Sequence, residues 1–415
     1  MITETMQRNI ISYAKQFVED GYITSGALAV RCDTGIAMTK LGVDLTKLEV
    51  GSIMYVDDKN IDKLEGNERA AAVLLFCLIR HDDKIGAAAI VDSKQILAFS
   101  SKKITLPAVL DDMSQICGIS VRCAKENTAI EVIRAIRGLR NCCFLPDAGA
   151  IVTGRTLDEV HTATLVLDKA CNCYLLAENK GGCKPLGLLD ACLEHVVYKL
   201  KYSRKNQDAQ KAAETGKTEA TEEQPSAITT DELKALAQQV KDVGVRMLNE
   251  NLVQGTWGNI SVRVDDKHIL CTPSALDYVM LKPEQMAIVD IETMEWQGSN
   301  KPTSEKKIHG ALMLAKSETT WVLHSHPKFG CILASMGQAL PVPEQYRETL
   351  GDSIPCTTGG LPGTKKLVKS VTAAIGDAPA VFLKNHGIVA RGNTLEEAFK
   401  VCYDLENACA AYLAE

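Results

Sequence analysis

Residues 383–415 read LKNHGIVARGNTLEEAFKVCYDLENACAAYLAE, and residues 145–178 read LPDAGAIVTGRTLDEVHTATLVLDKACNCYLLAE. In both, an apolar run turns at a glycine, resumes as a second apolar run, and passes through Thr-Leu-Asp/Glu-Glu into a long amphipathic helix pattern. Three more matches precede these in the same order. IISYAKQFVEDGYITSG (10–26), leading into SGALAVR, answers LAQQVKDVGVRMLNENLVQG (236–255), leading into TWGNISVR. GIAMTKLGVDLTKLEVGSIMYVD (35–57) answers HILCTPSALDYVMLKPEQMAIVD (268–290), and NERAAAVLLFCLIRHDDK (67–84) answers SEKKIHGALMLAKSETT (304–320). A single match arises readily from shared periodicity; four in one order point to a duplication. Helical patterns interleave with short strands such as ALAVR, ISVRV, ILCTP and WVLHSHP, so each half is expected to be an α/β fold with helices on the faces of a sheet.

The halves meet at SRKNQDAQKAAETGKTEATEEQPSAITT (203–230), which is charged and almost without large apolar residues. Such a segment buries too little surface to offset its ordering entropy. The expected domains are 1–202, a flexible charged linker over 203–228, and 229–415. A surface helix over QDAQKAAE (207–214) is the competing reading of that stretch.

The whole chain of 415 residues is 46% hydrophobic and 24% charged, which excludes intrinsic disorder and allows a core in each half. A net charge of −6 argues against a general nucleic-acid or anionic-membrane binder. No apolar run approaches the roughly 20 residues needed to cross a bilayer. The first residues read as an amphipathic helix rather than a secretory signal. The 15 cysteines include no C-x-x-C pair, so reduced, mostly buried thiols in a cytoplasmic protein are expected.

The second half carries the chemistry. In WVLHSHP, His324 and His326 lie two apart in a strand pattern, so both imidazoles face one side, close enough to share a metal. His386, at the glycine turn of VFLKNHGIVARG, can bring a third nitrogen. Three histidines with a vacant position suit a catalytic zinc site. Thr303 or Ser304 reads as a helix cap that puts Glu305 in the first helical turn, either as a dipole-favoured carboxylate or as a base beside the histidines. His309, four residues on, shares its helix face and is expected to support the site or the core. Gly258 and Asn259 in GTWGNISVR, Ser274 and Ala275 in TPSALDY, and Thr303 and Ser304 in PTSE are small or hydroxylic residues suited to an anion pocket.

Taken together, QGTWGNISVR, ILCTPSALDYVML, PTSEKKIH, VLHSHP and KNHGIVARG resemble the class II aldolase/adducin head family, in the style of its L-fuculose-phosphate aldolase branch. The resemblance covers about 231–415. It implies two tandem three-layer α/β/α domains, each around a mainly antiparallel sheet. Zinc, or another divalent metal, would be held by His324, His326 and His386, with Glu305 as acid/base and occasional ligand. Gly258, Asn259, Ser274, Ala275, Thr303 and Ser304 would hold a substrate phosphate. The implied reaction is reversible cleavage of a ketose 1-phosphate to dihydroxyacetone phosphate and an aldehyde. Related epimerases, dehydratases and the metal-free adducin scaffold are the alternative readings.

The first half departs from that pattern. Ala148 stands where His386 stands, GAAAIVDS (86–93) has no histidine, and Ala27 replaces Asn259, while Glu68 keeps the place of Glu305. It is expected to be a degenerate copy without metal ligands. Family sites lie at subunit boundaries and take a tyrosine from the neighbour as proton donor. Tyr346 in PVPEQYRETLG is the candidate, slightly out of register, and the matching stretch KKITLPAVLDDMSQICG has no tyrosine. A homo-oligomer, dimer or tetramer, is therefore expected, acting on a small sugar phosphate and binding neither nucleic acid nor membrane.

Overall fold

The computed structural model describes residues 2–200, 226–253, 257–274, 276 and 278–415. The chain divides into two units, Met1–Leu175 with Pro185–Lys201, and Leu176–Lys184 with Tyr202–Glu415. Up to residue 225, the expected linker lies outside the described residues.

The first unit is built on strands β1 (Ala27–Arg31), β2 (Ile36–Met38), β3 (Met54–Val56), β4 (Ala87–Val91), β5 (Leu106–Pro107), β6 (Ser120–Cys123), β7 (Cys142–Leu145) and β8 (Gly149–Gly154). They form one sheet in the order β3-β2-β1-β4-β8-β7-β6-β5. Neighbours run antiparallel except β6 and β7, which are parallel. Its helices are α1 (Glu4–Glu19), α2 (Gly66–His81), α3 (Lys94–Ser100), α4 (Asp111–Ile116), α5 (Ala129–Ile136), α6 (Leu157–Ala177) and α7 (residues 188–200). Alternation along the strands sorts the residues into layers. Ala27, Ala29, Cys143 and Leu145 pack with Leu75 and Ile79 of α2 and Val132 of α5. On the other face, Phe144 meets Phe99 of α3 at 4.8 Å between ring centroids, and Phe99 meets Tyr174 of α6 at 5.2 Å.

The second unit repeats this plan. Strands β9 (Asn259–Arg263), β10 (His268–Cys271), β11 (Ala287–Asp290), β12 (Trp296–Gln297), β13 (Trp321–Ser325), β16 (Ala380–Leu383) and β17 (Gly387–Gly392) form an antiparallel sheet in the order β12-β11-β10-β9-β13-β17-β16. A two-stranded ribbon pairs β14 (Leu340–Pro341) with β15 (Ser353–Ile354). The helices are α8 (Asp231–Asn249), α9 (Lys306–Ala315), α10 (Lys328–Met336), α11 (Arg347–Leu350), α12 (Lys365–Ile375) and α13 (Leu395–Ala414). Val322, Val381, Leu383 and Val389 pack on Ile308 and Leu312 of α9 and Leu367 and Val371 of α12. Ser325, on the opposite face, contacts Cys402 of α13. The result is a three-layer α/β/α unit. The stretch β3-β2-β1-β4-β8-β7 of the first sheet has its counterpart in β11-β10-β9-β13-β17-β16 of the second, as a duplication requires.

Candidate metal centre

β13 delivers two histidines. His324 lies on the α9 face of the strand, which ends at Ser325; His326 follows directly, and Pro327 is the N-cap residue of α10. The third comes from the turn between β16 and β17. Asn385 there has a left-handed backbone (φ 61°), and the next residue, His386, donates its N–H to the Leu383 carbonyl at 2.9 Å. A Cβ on Gly387 would lie 2.4 Å from the Ser325 carbonyl oxygen, so only glycine lets the turn close against β13.

The three rings converge. Nε2 of His324 lies 2.9 Å from Nε2 of His326 and 3.0 Å from Nε2 of His386. All three side chains are buried. His324 donates Nδ1–H to the Ile388 carbonyl at 2.8 Å, so its Nε2 presents a lone pair to the cluster. Nitrogens gathered this closely in a buried place repel one another unless they share a positive charge. Three imidazoles fit a divalent cation that favours nitrogen donors. Among the described residues this is the only group of three or more His, Cys, Asp or Glu side chains placed to share an ion.

Glu305 completes the cluster. Its Oε2 is 3.1 Å from Nε2 of His324, and its Oε1 is 3.6 Å from Nε2 of His386. Here the structure corrects the helix boundary: α9 begins at Lys306, and Glu305 is itself the N-cap residue, with no side-chain capping bond. Its carboxylate points into the histidine cluster, while its N–H bonds to Thr303 Oγ1 at 3.2 Å. Burial raises the Glu305 carboxyl, but the His324 and His386 imidazoles and the Asn259 amide outweigh it and hold the group down to about 2.

Behind Glu305 runs a chain of side chains. Asn259 Nδ2 donates to Glu305 Oε2 at 2.8 Å, leaving Asn259 Oδ1 to accept from Nε2–H of His309 at 2.6 Å. His309 Nδ1 must then accept from the Ser261 hydroxyl, also at 2.6 Å. Burial pushes the His309 imidazole down to about 3, so it is neutral and its tautomer is fixed by its partners. His309 therefore supports the site at one remove. Ser261 was not singled out from sequence. Its signal is the strand alternation in NISVR, which puts Asn259 and Ser261 on one face.

The expected anion residues gather nearby in part. Gly258 has φ 117°, and a Cβ there would lie 2.9 Å from the His324 carbonyl oxygen. A bridge between Pro273 and Pro302 brings Ser274 beside the Thr303 segment, and Ser274 Oγ donates to the Pro302 carbonyl at 3.1 Å. Thr303 is buried and Ser304 exposed at the N-terminal end of α9. Ala275 lies outside the described residues. Tyr346 ends a short 3-10 turn over Glu344–Tyr346, half-buried, with no bond to the histidine cluster among the described residues. Glu406 of α13 also escaped sequence reading. Its carboxylate accepts the N–H groups of Phe329 and Gly330, at 2.8 and 2.7 Å, in the first turn of the helix that follows His326.

In the first unit, sheet register puts Ile90 where His324 stands and Asp92 where His326 stands. Asp92 does not face a metal cluster. Its carboxylate accepts the N–H groups of Thr24 and Ser25, at 2.6 and 2.9 Å, and the Ser25 hydroxyl at 2.6 Å. Glu68 sits in the first turn of α2.

Comparison with known proteins agrees with the duplication. The sequence model of the family described as "Class II Aldolase and Adducin N-terminal domain" matches residues 8–175 and again 238–413. The chain is 32% identical over 180 residues to the 5-methylthioribulose-1-phosphate/5-deoxyribulose-1-phosphate aldolase of Rhodospirillum rubrum, covering 43% of this chain and 80% of that one. It is 29% identical over 183 residues to the L-fuculose phosphate aldolase of Escherichia coli, covering 44% and 84%. A solved L-fuculose 1-phosphate aldolase superposes with a TM-score of 0.42 at 26% identity, covering 45% of this chain and 86% of that one. No helix among the described residues is long and apolar enough to cross a membrane.

Proposed function

The chain belongs to the class II aldolase and adducin N-terminal domain family and is an aldolase, a carbon–carbon lyase, and on that premise we propose that its second unit cleaves a ketose 1-phosphate reversibly to dihydroxyacetone phosphate and an aldehyde. The observation that carries this reading is the meeting of three imidazole nitrogens with one buried carboxylate. His324, His326 and His386 would hold a divalent cation, zinc by the all-nitrogen donor set. Such an ion supplies positive charge to offset the negative charge that develops on the substrate oxygens as the carbon–carbon bond breaks.

The remaining work falls to the chain's own groups. Glu305, ionised at neutral pH, moves the proton to or from the carbon beside the substrate carbonyl. Asn259 and His309 fix the direction of that carboxylate. Gly258, Ser274, Thr303 and Ser304 hold the phosphate near the N-terminus of α9, where the helix dipole favours an anion; Ala275 is assigned to the same role from the sequence. Asn259 stands between the two groups, its side chain on Glu305 and its backbone next to Gly258. The phosphate lies away from the breaking bond and keeps the ketose in register. Tyr346 donates the proton to the leaving aldehyde, reaching a neighbouring site in a cytoplasmic homo-oligomer. The first unit serves as a scaffold without metal chemistry: Ile90 and Ala148 replace ligands, and Asp92 is spent on backbone N–H groups.

Incubation of the full chain with 5-deoxyribulose 1-phosphate, fuculose 1-phosphate and related ketose phosphates tests the proposal. Release of dihydroxyacetone phosphate is expected. Epimerised or dehydrated product without triose phosphate would refute it.

A further inference from the structure

Helix α7, LLDACLEHVVYKL over residues 188–200, is inverted with respect to water. Its inward face carries Ala191, Glu194 and His195, all buried. Glu194 Oε2 accepts from Gln115 Nε2 at 2.9 Å, and His195 Nδ1 donates to the Ser114 carbonyl at 2.9 Å. These bonds to α4 set the helix's rotation about its own axis, so the outward direction of the other face is not an accident of loose packing. That face holds Leu188, Leu189, Leu193, Val196, Val197 and Leu200, with exposures of 42 to 86%. A surface helix ordinarily turns such residues to its own core and its charges to water.

The stripe has a definite pattern. Leu189, Leu193, Val196 and Leu200 are spaced four, three and four apart, the seam by which two helices pair. The six residues present on the order of 600 Å² of surface, at the top of the range for the largest apolar patch of a monomer, a size that is often functional. That approaches the roughly 800 Å² per partner of a standard interface. The seam is also symmetric about its midpoint, between Glu194 and His195. An antiparallel mate would set Leu189 against Leu200 of the partner subunit, and Leu193 against Val196 of the partner subunit. Self-complementarity of this kind is what a two-fold contact between identical surfaces requires.

We propose that the occupant of this face is a second copy of the chain, with α7 packed antiparallel on its two-fold mate. The proposal is independent of the metal centre. Sedimentation equilibrium of the full chain, wild type and L193E/L200E, tests it. The variant is expected to show half the wild-type molar mass at equal concentration, with unchanged metal content and an unchanged far-ultraviolet circular dichroism spectrum. A variant of wild-type mass would overturn the proposal. So would a wild-type monomer, whether free or bound to phosphatidylcholine vesicles. Should the charged variant misfold, L193C/V196C decides: mild oxidation is expected to give a covalent dimer absent from oxidised wild type, and its absence counts against the contact.

Discussion

His309 donates Nε2–H to the side-chain oxygen of Asn259 across 2.6 Å, and both groups are buried. Because an amide oxygen only accepts, this bond leaves the Asn259 NH₂ group for Glu305, where it sits 2.8 Å from Oε2. One neutral histidine thus selects the direction of a carboxylate it does not touch. His309→Ala is expected to lower turnover by about 10–100-fold, the usual scale for groups that orient a reactive partner, while divalent metal content stays at the wild-type level. His309→Gln, which can still donate, should recover part of the loss. Full activity in the alanine variant would show that Glu305 needs no such support.

Glu305→Gln keeps the size and the bond to Asn259 but cannot accept a proton. A fall in turnover of about 10²–10⁴-fold is expected, in line with loss of a general acid/base. Steady-state kinetics with a cleavable ketose phosphate measure it, and a loss confined to KM would assign Glu305 to binding instead.

Glu406 predicts a pH dependence of stability. Burial pushes its carboxyl up from 4.5 to about 7, although the N–H groups of Phe329 and Gly330 pull the other way. Between those two values the folded chain keeps a proton that the unfolded chain has released, so stability falls as pH rises through that window. Over the whole window the effect is roughly 3 kcal/mol. Melting temperatures of wild type and Glu406→Gln from pH 4.5 to 8 should diverge with rising pH, in favour of the variant. Parallel curves would place the titration elsewhere.

Asp92 stands in the first unit where His326 stands in the second. Its carboxylate accepts three bonds from Thr24 and Ser25; both residues are exposed, so water can take the acceptor's place, and Asp92→Ala is expected to cost about 0.5–1.5 kcal/mol of stability. Because Asp92 belongs to the unit without the histidine cluster, turnover per bound metal ion should not change. A drop in that ratio would give the first unit a part in the chemistry.

Much of this was legible in the sequence because it rests on short-range periodicity. Alternation in WVLHSHP puts His324 and His326 on one face, and the glycine after His386 marks the turn that brings the third ring. Other features depend on long-range packing. Ser261 and His309 are separated by 48 positions and meet through helix-on-sheet contact. Glu406 reaches Phe329 from 77 positions away. Thr303 and Ser304 both look like caps in the sequence, whereas Glu305 is the N-cap residue, its carboxylate lies against the histidines, and α9 begins one or two residues later than either cap implies. The inverted face of α7 went unread, since its periodicity alone does not say which side turns inward.

Elemental analysis of the purified full chain, dialysed against metal-free buffer, tests the centre most directly. One tightly held divalent ion per chain is expected in wild type, and none in His324→Ala or His386→Ala variants that retain the wild-type circular dichroism spectrum. A folded wild type that neither carries nor takes up such an ion, or histidine variants that keep it, would contradict the assignment.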